Sequence, residues 1–133
     1  MGVLTVYLEK CSNLESDDLF TLSDPYVKLE IEQDNIGHFR DEDFGWAKSD
    51  TLQGRNPEFD QTFQFNLPSL DNMVLTCKIR DEDTCSRDDK MGWCKINLER
   101  ADLCEDLKDF EEVIDRNLIR RNGKIHLKLS WEE

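Results

Sequence analysis

Apolar and polar residues alternate with period two through most of the chain, and each alternating stretch ends in a cluster of turn-forming residues. Leu4, Val6 and Leu8 alternate with Thr5, Tyr7 and Glu9, and Val27, Leu29 and Ile31 alternate with Lys28 and Glu30. Phe63, Phe65 and Leu67 repeat the pattern, as do Met73, Leu75, Cys77 and Ile79, then Cys94, Ile96 and Leu98, then Ile125, Leu127, Leu129 and Trp131. Successive side chains of an extended strand point to opposite faces, so each stretch reads as a strand with one buried and one wet face. A weaker strand is expected from Trp46 to Leu52 and another near Phe110 to Ile114. About eight short antiparallel strands without long helices predict an all-β, eight-stranded antiparallel β-sandwich.

Two segments break the rhythm. Gln33 to Asp43, with its Asp-Asn and Glu-Asp turns, reads as a long acidic hairpin connection. Between Leu98 and Leu118 the apolar spacing is mixed and fits a helical turn as well as a strand. There is no internal repeat and no Pro/Gly-rich linker, and 133 residues suit a single domain over residues 1–133.

Composition removes several function classes. The chain holds 17 Lys+Arg against 30 Asp+Glu, a formal charge of −13. A general nucleic-acid binder needs a basic footprint to displace counterions from phosphates, so no nucleic-acid partner is expected. The same charge repels an anionic membrane unless something reverses it locally. The apolar start at Val3 to Leu8 is cut off by Glu9-Lys10, far short of the roughly 20 residues that span a bilayer. Five cysteines, an odd number without a CxxC pair, suit a reducing, cytoplasmic setting. Cys77 and Cys94 take inward strand positions, as small core hydrophobes do. Trp46, Trp93 and Trp131 read as structural anchors. His38 and His126 read as surface residues, and with only these two histidines no nucleophile, base and orienting group assemble, so no enzyme is expected.

The chemistry lies in the turns. One connection runs Glu15-Ser16-Asp17-Asp18-Leu19-Phe20-Thr21-Leu22-Ser23-Asp24-Pro25, and another runs Asp81-Glu82-Asp83-Thr84-Cys85-Ser86-Arg87-Asp88-Asp89. Carboxylates two apart on a strand end point the same way, so Asp81 and Asp83 converge. Two carboxylates ~4 Å apart repel by about 4 kcal/mol at an effective dielectric near 20, so a cluster needs a cation or raised pKa values. Ca²⁺ suits an all-oxygen cluster in flexible geometry, whereas Zn²⁺ would recruit His or Cys. An EF-hand loop starting at Asp81 fails, because its sixth and twelfth positions are Ser86 and Gly92 instead of Gly and Glu.

Together the motifs carry a resemblance. Asp18, then Ser23-Asp24-Pro25-Tyr26-Val27-Lys28, then Asn56-Pro57-Glu58-Phe59-Asp60-Gln61-Thr62-Phe63, then Asp81-x-Asp83-x5-Asp89 and Met91-Gly92 resemble a C2 domain over essentially the whole chain. The start on Leu4-Val6-Leu8 and the finish on Gly123-Lys124-Ile125-His126-Leu127 resemble that family's type II strand order. The resemblance implies calcium-binding loops at one end of the sandwich. Its side-chain ligands would be Asp18, Asp24, Asp81, Asp83 and Asp89, with the carbonyls of Leu19 and Glu82 helping and Ser86 available for a further ion. Two or more Ca²⁺ ions are implied. The family's lysine-rich lateral strand, used for phosphoinositides, would fall near Trp46 to Arg55, where only Lys48 and Arg55 are basic.

Leu19, Phe20 and Leu22, with Cys85 in the second loop, are apolar residues beside the acids and are the expected membrane-binding positions. Burying Leu19 and Phe20 would give roughly 3–6 kcal/mol of gross insertion energy. The expected function is therefore a calcium-dependent phospholipid-binding module. Such a module is cytoplasmic, becomes peripheral to the membrane on calcium binding, and fits signalling or membrane trafficking. The alternative is a calcium-independent protein–protein interaction module that uses the Gln33 to Asp43 connection or an exposed sheet edge.

Overall fold

The computed structural model describes residues 1–14, 23–34, 42–82, 89–115 and 123–133. Eight strands run in chain order as β1 (Gly2–Ser12), β2 (Pro25–Gln33), β3 (Glu42–Lys48), β4 (Glu58–Leu67), β5 (Met73–Asp81), β6 (Asp89–Asn97), β7 (Lys108–Val113) and β8 (Lys124–Glu132). They form two four-stranded antiparallel sheets, ordered β4-β1-β8-β7 and β3-β2-β5-β6. The expected eight-stranded sandwich is the fold observed. The inward residues of the alternating runs form one core, in which Leu4, Val6, Leu8, Val27, Leu29, Ile31, Leu75, Cys77, Ile79 and Leu129 are wholly buried. Cys94 and Cys11 are buried there as well, and burial raises the Cys11 thiol far above its ordinary pKa.

Two local expectations are corrected and one open choice is settled. The third strand is β3 at Glu42–Lys48, not Trp46 to Leu52, and it pairs from Gln33↔Glu42 to Lys28↔Lys48. The connection after β2 is accordingly shorter than Gln33 to Asp43. The error has a physical source. β3 is an edge strand whose large aromatic faces outward, and Gly45, at φ +140° against the Phe65 ring, interrupts its alternation. Residues 49–54 do run on beside the start of β2, through Ser49 N→Val27 O, Leu52 N→Pro25 O and Gly54 N→Ser23 O, without being a strand. Second, the choice left open between Leu98 and Leu118 resolves, over the described residues, as turns followed by a strand. Turns follow β6, with Asn97 Oδ1 accepting from Arg100 N, and the chain then enters β7. Third, only Trp131 is a buried anchor, since Trp46 is 61% and Trp93 38% exposed.

Candidate functional site: one end of the sandwich and the outer face beside it

The registers bring the acidic connections to one end. Pro25 pairs with Asp81 and Asp81 with Asp89, so the start of β2, the end of β5 and the start of β6 meet there. β1 ends and β8 begins at the corresponding end of the other sheet, with Ser12 opposite Lys124. Two of the expected ligand positions are directly joined. The Asp24 amide donates to Asp81 Oδ1 at 2.8 Å, and the Glu82 amide donates back to the Asp24 carbonyl at 2.9 Å. This reciprocal pair ties the exit of the first acidic loop to the entry of the second. The Thr51 hydroxyl donates to the Glu82 carboxylate, adding the 49–57 connection to the same cluster.

Of the remaining expected positions, Asp89 is placed by its backbone, opposite Asp81. Asp18, Leu19, Phe20, Leu22, Asp83, Cys85 and Ser86 lie outside the described residues. Among the described residues, no group of three or more His, Cys, Asp or Glu side chains is gathered for a metal ion. What is described is the Asp81 carboxylate held by the Asp24 main chain, with the Asp24 carbonyl beside it. That donor set consists of hard oxygens without thiol or imidazole, and it fits Ca²⁺ chemically.

Sequence reasoning missed the outer face of the β3-β2-β5-β6 sheet. Counting bases only from Trp46 to Arg55 overlooks that the sheet assembles this face from four strands. Cross-strand partners share a face, and the partners Lys48, Lys28, Lys78 and Trp93 form one row across it, with Trp46, Glu30, Thr76 and Lys95 forming the next. Lys28 Nζ sits 5.3 Å from the Trp46 ring centroid, Lys48 Nζ 4.3 Å from that of Tyr26, and Lys95 Nζ 6.0 Å from that of Trp93. Glu30 bridges Lys28 at 3.2 Å and Lys78 at 3.0 Å. Burial works against its charge, but hydrogen bonds from Lys78 and Lys28 outweigh it and hold Glu30 below the ordinary glutamate pKa. Glu32 moves the other way, raised by burial and by its neighbour Glu30. In the second row Thr76 Oγ1 is buried with no hydrogen-bond partner among the described residues. The lysines and Glu30 of these rows lie at polar positions of the alternating pattern and the two tryptophans were read as anchors, but only the register joins them.

The register also aligns groups that the sequence keeps apart. Ser12 Oγ lies 3.4 Å from His126 Nε2, and His126 Nδ1 lies 3.8 Å from Glu111 Oε2, on the outer face of the other sheet. The second distance is too long for a hydrogen bond, and Glu111 is engaged by Lys124 at 2.9 Å. The row is a set of cross-strand polar contacts without the orienting bond that a nucleophile–base pair needs. His126 is half-buried, not fully at the surface.

A family profile described as C2 domain matches residues 2–114. Synaptotagmin-C of Diplobatis ommata is 31% identical over 133 residues, covering 96% of this chain and 24% of that protein. Tricalbin-1 of Saccharomyces cerevisiae is 26% identical over 133 residues, covering 98% of this chain and 10% of its own length. The chain thus spans about a quarter or less of these relatives. Among solved structures, a C2 domain of plant extended synaptotagmin 1 superposes with a TM-score of 0.83 at 23% identity, covering 98% of this chain and 94% of that one. A human GIVD cytosolic phospholipase A2 superposes with a TM-score of 0.79 at 23% identity over 99% of this chain and 16% of its own, a likeness of fold alone.

Proposed function

The chain belongs to the C2 domain family, and from that premise we propose that it is a calcium-dependent phospholipid-binding module, peripheral to the membrane and without catalytic activity. The observation that carries the reading is the tie between Asp24 and Asp81, which draws the two acidic loops to one end of the sandwich. The ligand set proposed is Asp18, Asp24, Asp81, Asp83 and Asp89, with the Leu19 and Glu82 carbonyls and Ser86, holding two or more ions. When bound, Ca²⁺ would supply positive charge and open coordination positions for lipid phosphate. The chain's own part is to hold the carboxylates together on stems fixed by the sheets. It also presents Leu19, Phe20, Leu22 and Cys85 beside them for insertion. Such a switch is local electrostatics on a fixed fold. No helix among the described residues is long and apolar enough to cross a membrane, which suits attachment through the loops.

The test is liposome sedimentation with and without EGTA, for the wild type and for Asp81→Asn combined with Asp83→Asn. Binding that needs Ca²⁺ in the wild type and is lost in the double variant is expected; equal pelleting with and without the ion would refute the reading.

A second reading, a calcium-independent interaction module, is favoured by the outer face of β3-β2-β5-β6. Four lysines and two exposed tryptophans form a surface suited to an anionic partner, in a chain whose net charge is −13. Capture of an acidic protein that persists in EGTA and is weakened by Lys28→Glu would favour this protein–protein reading.

A further inference from the structure

The first acidic connection, residues 15–22, leaves the sandwich at Leu14 and returns at Ser23, and its two stems are held by adjacent residues of one run, the leaving stem by Arg55 and Asn56 and the returning stem by Gly54. The Leu14 amide donates to the Arg55 carbonyl at 2.9 Å, and Arg55 Nε donates back to the Leu14 carbonyl at 3.0 Å. Arg55 Nη2 donates to Asn13 Oδ1 at 3.2 Å, and the Asn13 amide donates to Asn56 Oδ1 at 2.8 Å. On the returning side, the Gly54 amide donates to the Ser23 carbonyl at 2.9 Å, and Ser23 Oγ donates to the Gly54 carbonyl at 3.4 Å. Leu14 and Ser23 are themselves buried. Gly54 has φ +102° with open space where a Cβ would stand, so backbone conformation and not crowding requires glycine there.

These contacts reach across 31 to 43 residues of sequence. They connect the stems to a segment that also anchors to the second loop through Thr51 and Glu82. A loop whose ends are already fixed loses less entropy when it organises around a ligand. Arg55 suits the task because its planar guanidinium engages two acceptors at once, which a lysine ammonium does not reproduce.

We propose that Gly54-Arg55-Asn56 is a clip that pre-organises the first acidic loop for cation binding, with Arg55 and Asn56 as its positioning residues. The inference rests on the calcium reading above. Arg55, counted from sequence among the bases of a lateral lipid-binding strand, is in this role engaged at the loop stem instead.

Two variants test it. Arg55→Lys keeps the charge and loses the fork; Asn56→Ala removes the acceptor for Asn13. Each is compared with wild type by calorimetric Ca²⁺ titration at a temperature where all are folded, and by amide hydrogen exchange without calcium. A third variant, Gly2→Ala, perturbs the opposite end of β1 and controls for loss of general stability. Both clip variants should weaken Ca²⁺ binding by about fivefold or more, the size expected when one hydrogen bond organising a site is lost, charge-assisted at Arg55 and neutral at Asn56. Their Leu14 and Gly54 amides should exchange faster, while Gly2→Ala leaves affinity unchanged. Wild-type affinity with wild-type exchange in both clip variants overturns the clip and leaves the calcium reading standing. An absence of Ca²⁺ binding by the wild type overturns both, and equal weakening by Gly2→Ala shows a general stability effect and overturns the clip alone.

Discussion

Asp81 has two separable tasks, and one substitution divides them. Its Oδ1 accepts the Asp24 amide at 2.8 Å, which is a structural duty, and its charge belongs to the proposed calcium site. Asp81→Asn keeps a carbonyl oxygen for the amide and removes the charge, whereas Asp81→Ala removes both. A hydrogen bond to a charged acceptor contributes about 1.5–3 kcal/mol and to a neutral one about 0.5–1.5 kcal/mol, so without calcium Asp81→Asn should lose about 1–1.5 kcal/mol. Relief of repulsion among neighbouring carboxylates offsets part of that. Asp81→Ala leaves the Asp24 amide without its partner. The pair is part-buried and water has some access, so a further loss of about 1 kcal/mol is expected, at the low end of the range for an orphaned group. Calcium at about a hundred times its dissociation constant should stabilise the wild type by about 2.7 kcal/mol. For a chain of this size that is a rise in melting temperature of roughly 8–13 °C. Neither variant should show the rise. The assay is thermal unfolding followed by circular dichroism with Ca²⁺ and with EGTA. A calcium shift in Asp81→Asn equal to the wild type's would refute its place in the site. A calcium-free melting point as low as that of Asp81→Ala would refute the assignment of the structural duty to the acceptor oxygen.

Gly2→Ala should destabilise the fold by about 1–3 kcal/mol in urea titration, because the added Cβ would stand 2.7 Å from both the Glu132 carbonyl and the Trp131 ring. Ser49→Ala should cost about 1–3 kcal/mol in the same assay, since Ser49 Oγ accepts the buried Val27 amide at 2.8 Å and nothing in alanine replaces it. Glu30 and Glu32 should act with opposite sign. The stability that Glu30 contributes, through a pKa held low in the fold, is present above its unfolded value and lost as pH falls through the folded one. Glu30→Gln should therefore lower stability at pH 7 and flatten its decline below about pH 4. Glu32, raised by burial and by Glu30, costs stability while ionised, so Glu32→Gln should raise the urea midpoint at pH 7.

The strands were legible where one face of a strand is wholly apolar. β1, β2, β5 and β8 each alternate buried and part-exposed residues over most of their length, and that pattern needs no tertiary knowledge. β3 was displaced because its signal is tertiary. Trp46 faces outward over Lys28, and a glycine with positive φ stands beside it. Apolarity alone suggested a buried anchor at Trp46, but the flat face of an indole is equally a partner for a lysine ammonium. The acidic end was legible because turn composition and motif spacing are local. Its supports were not: Arg55 and Asn56 bond to residues 41 to 43 positions away, and no periodicity encodes such a contact. The lysine face was hidden for the same reason. Each strand contributes one or two bases, and only the registers Lys28↔Lys48, Lys28↔Lys78 and Thr76↔Lys95 join them.

The acidic end and the lysine face share β2 and β5, which raises the question of how strongly they influence each other. Asp81 and Lys78 are three residues apart on β5, about 10 Å along a strand, which is about one Debye length at physiological salt. At that separation two unit charges interact by about 0.4 kcal/mol in water, and screening reduces it further. Glu30 lies within 3.0 Å of Lys78 and cancels much of its field beyond the face. Neutralising Lys78 should then tighten Ca²⁺ binding by less than about twofold at about 150 mM salt, with a larger effect at about 10 mM, where the Debye length grows to about 30 Å. Calorimetric titration of Lys78→Gln at the two salt concentrations measures this. A change of about tenfold or more at the higher salt would mean that the surfaces are coupled by something other than their charges. A small change would mean that the acidic end and the lysine face are nearly independent electrostatically, separated by distance and by the Glu30 countercharge.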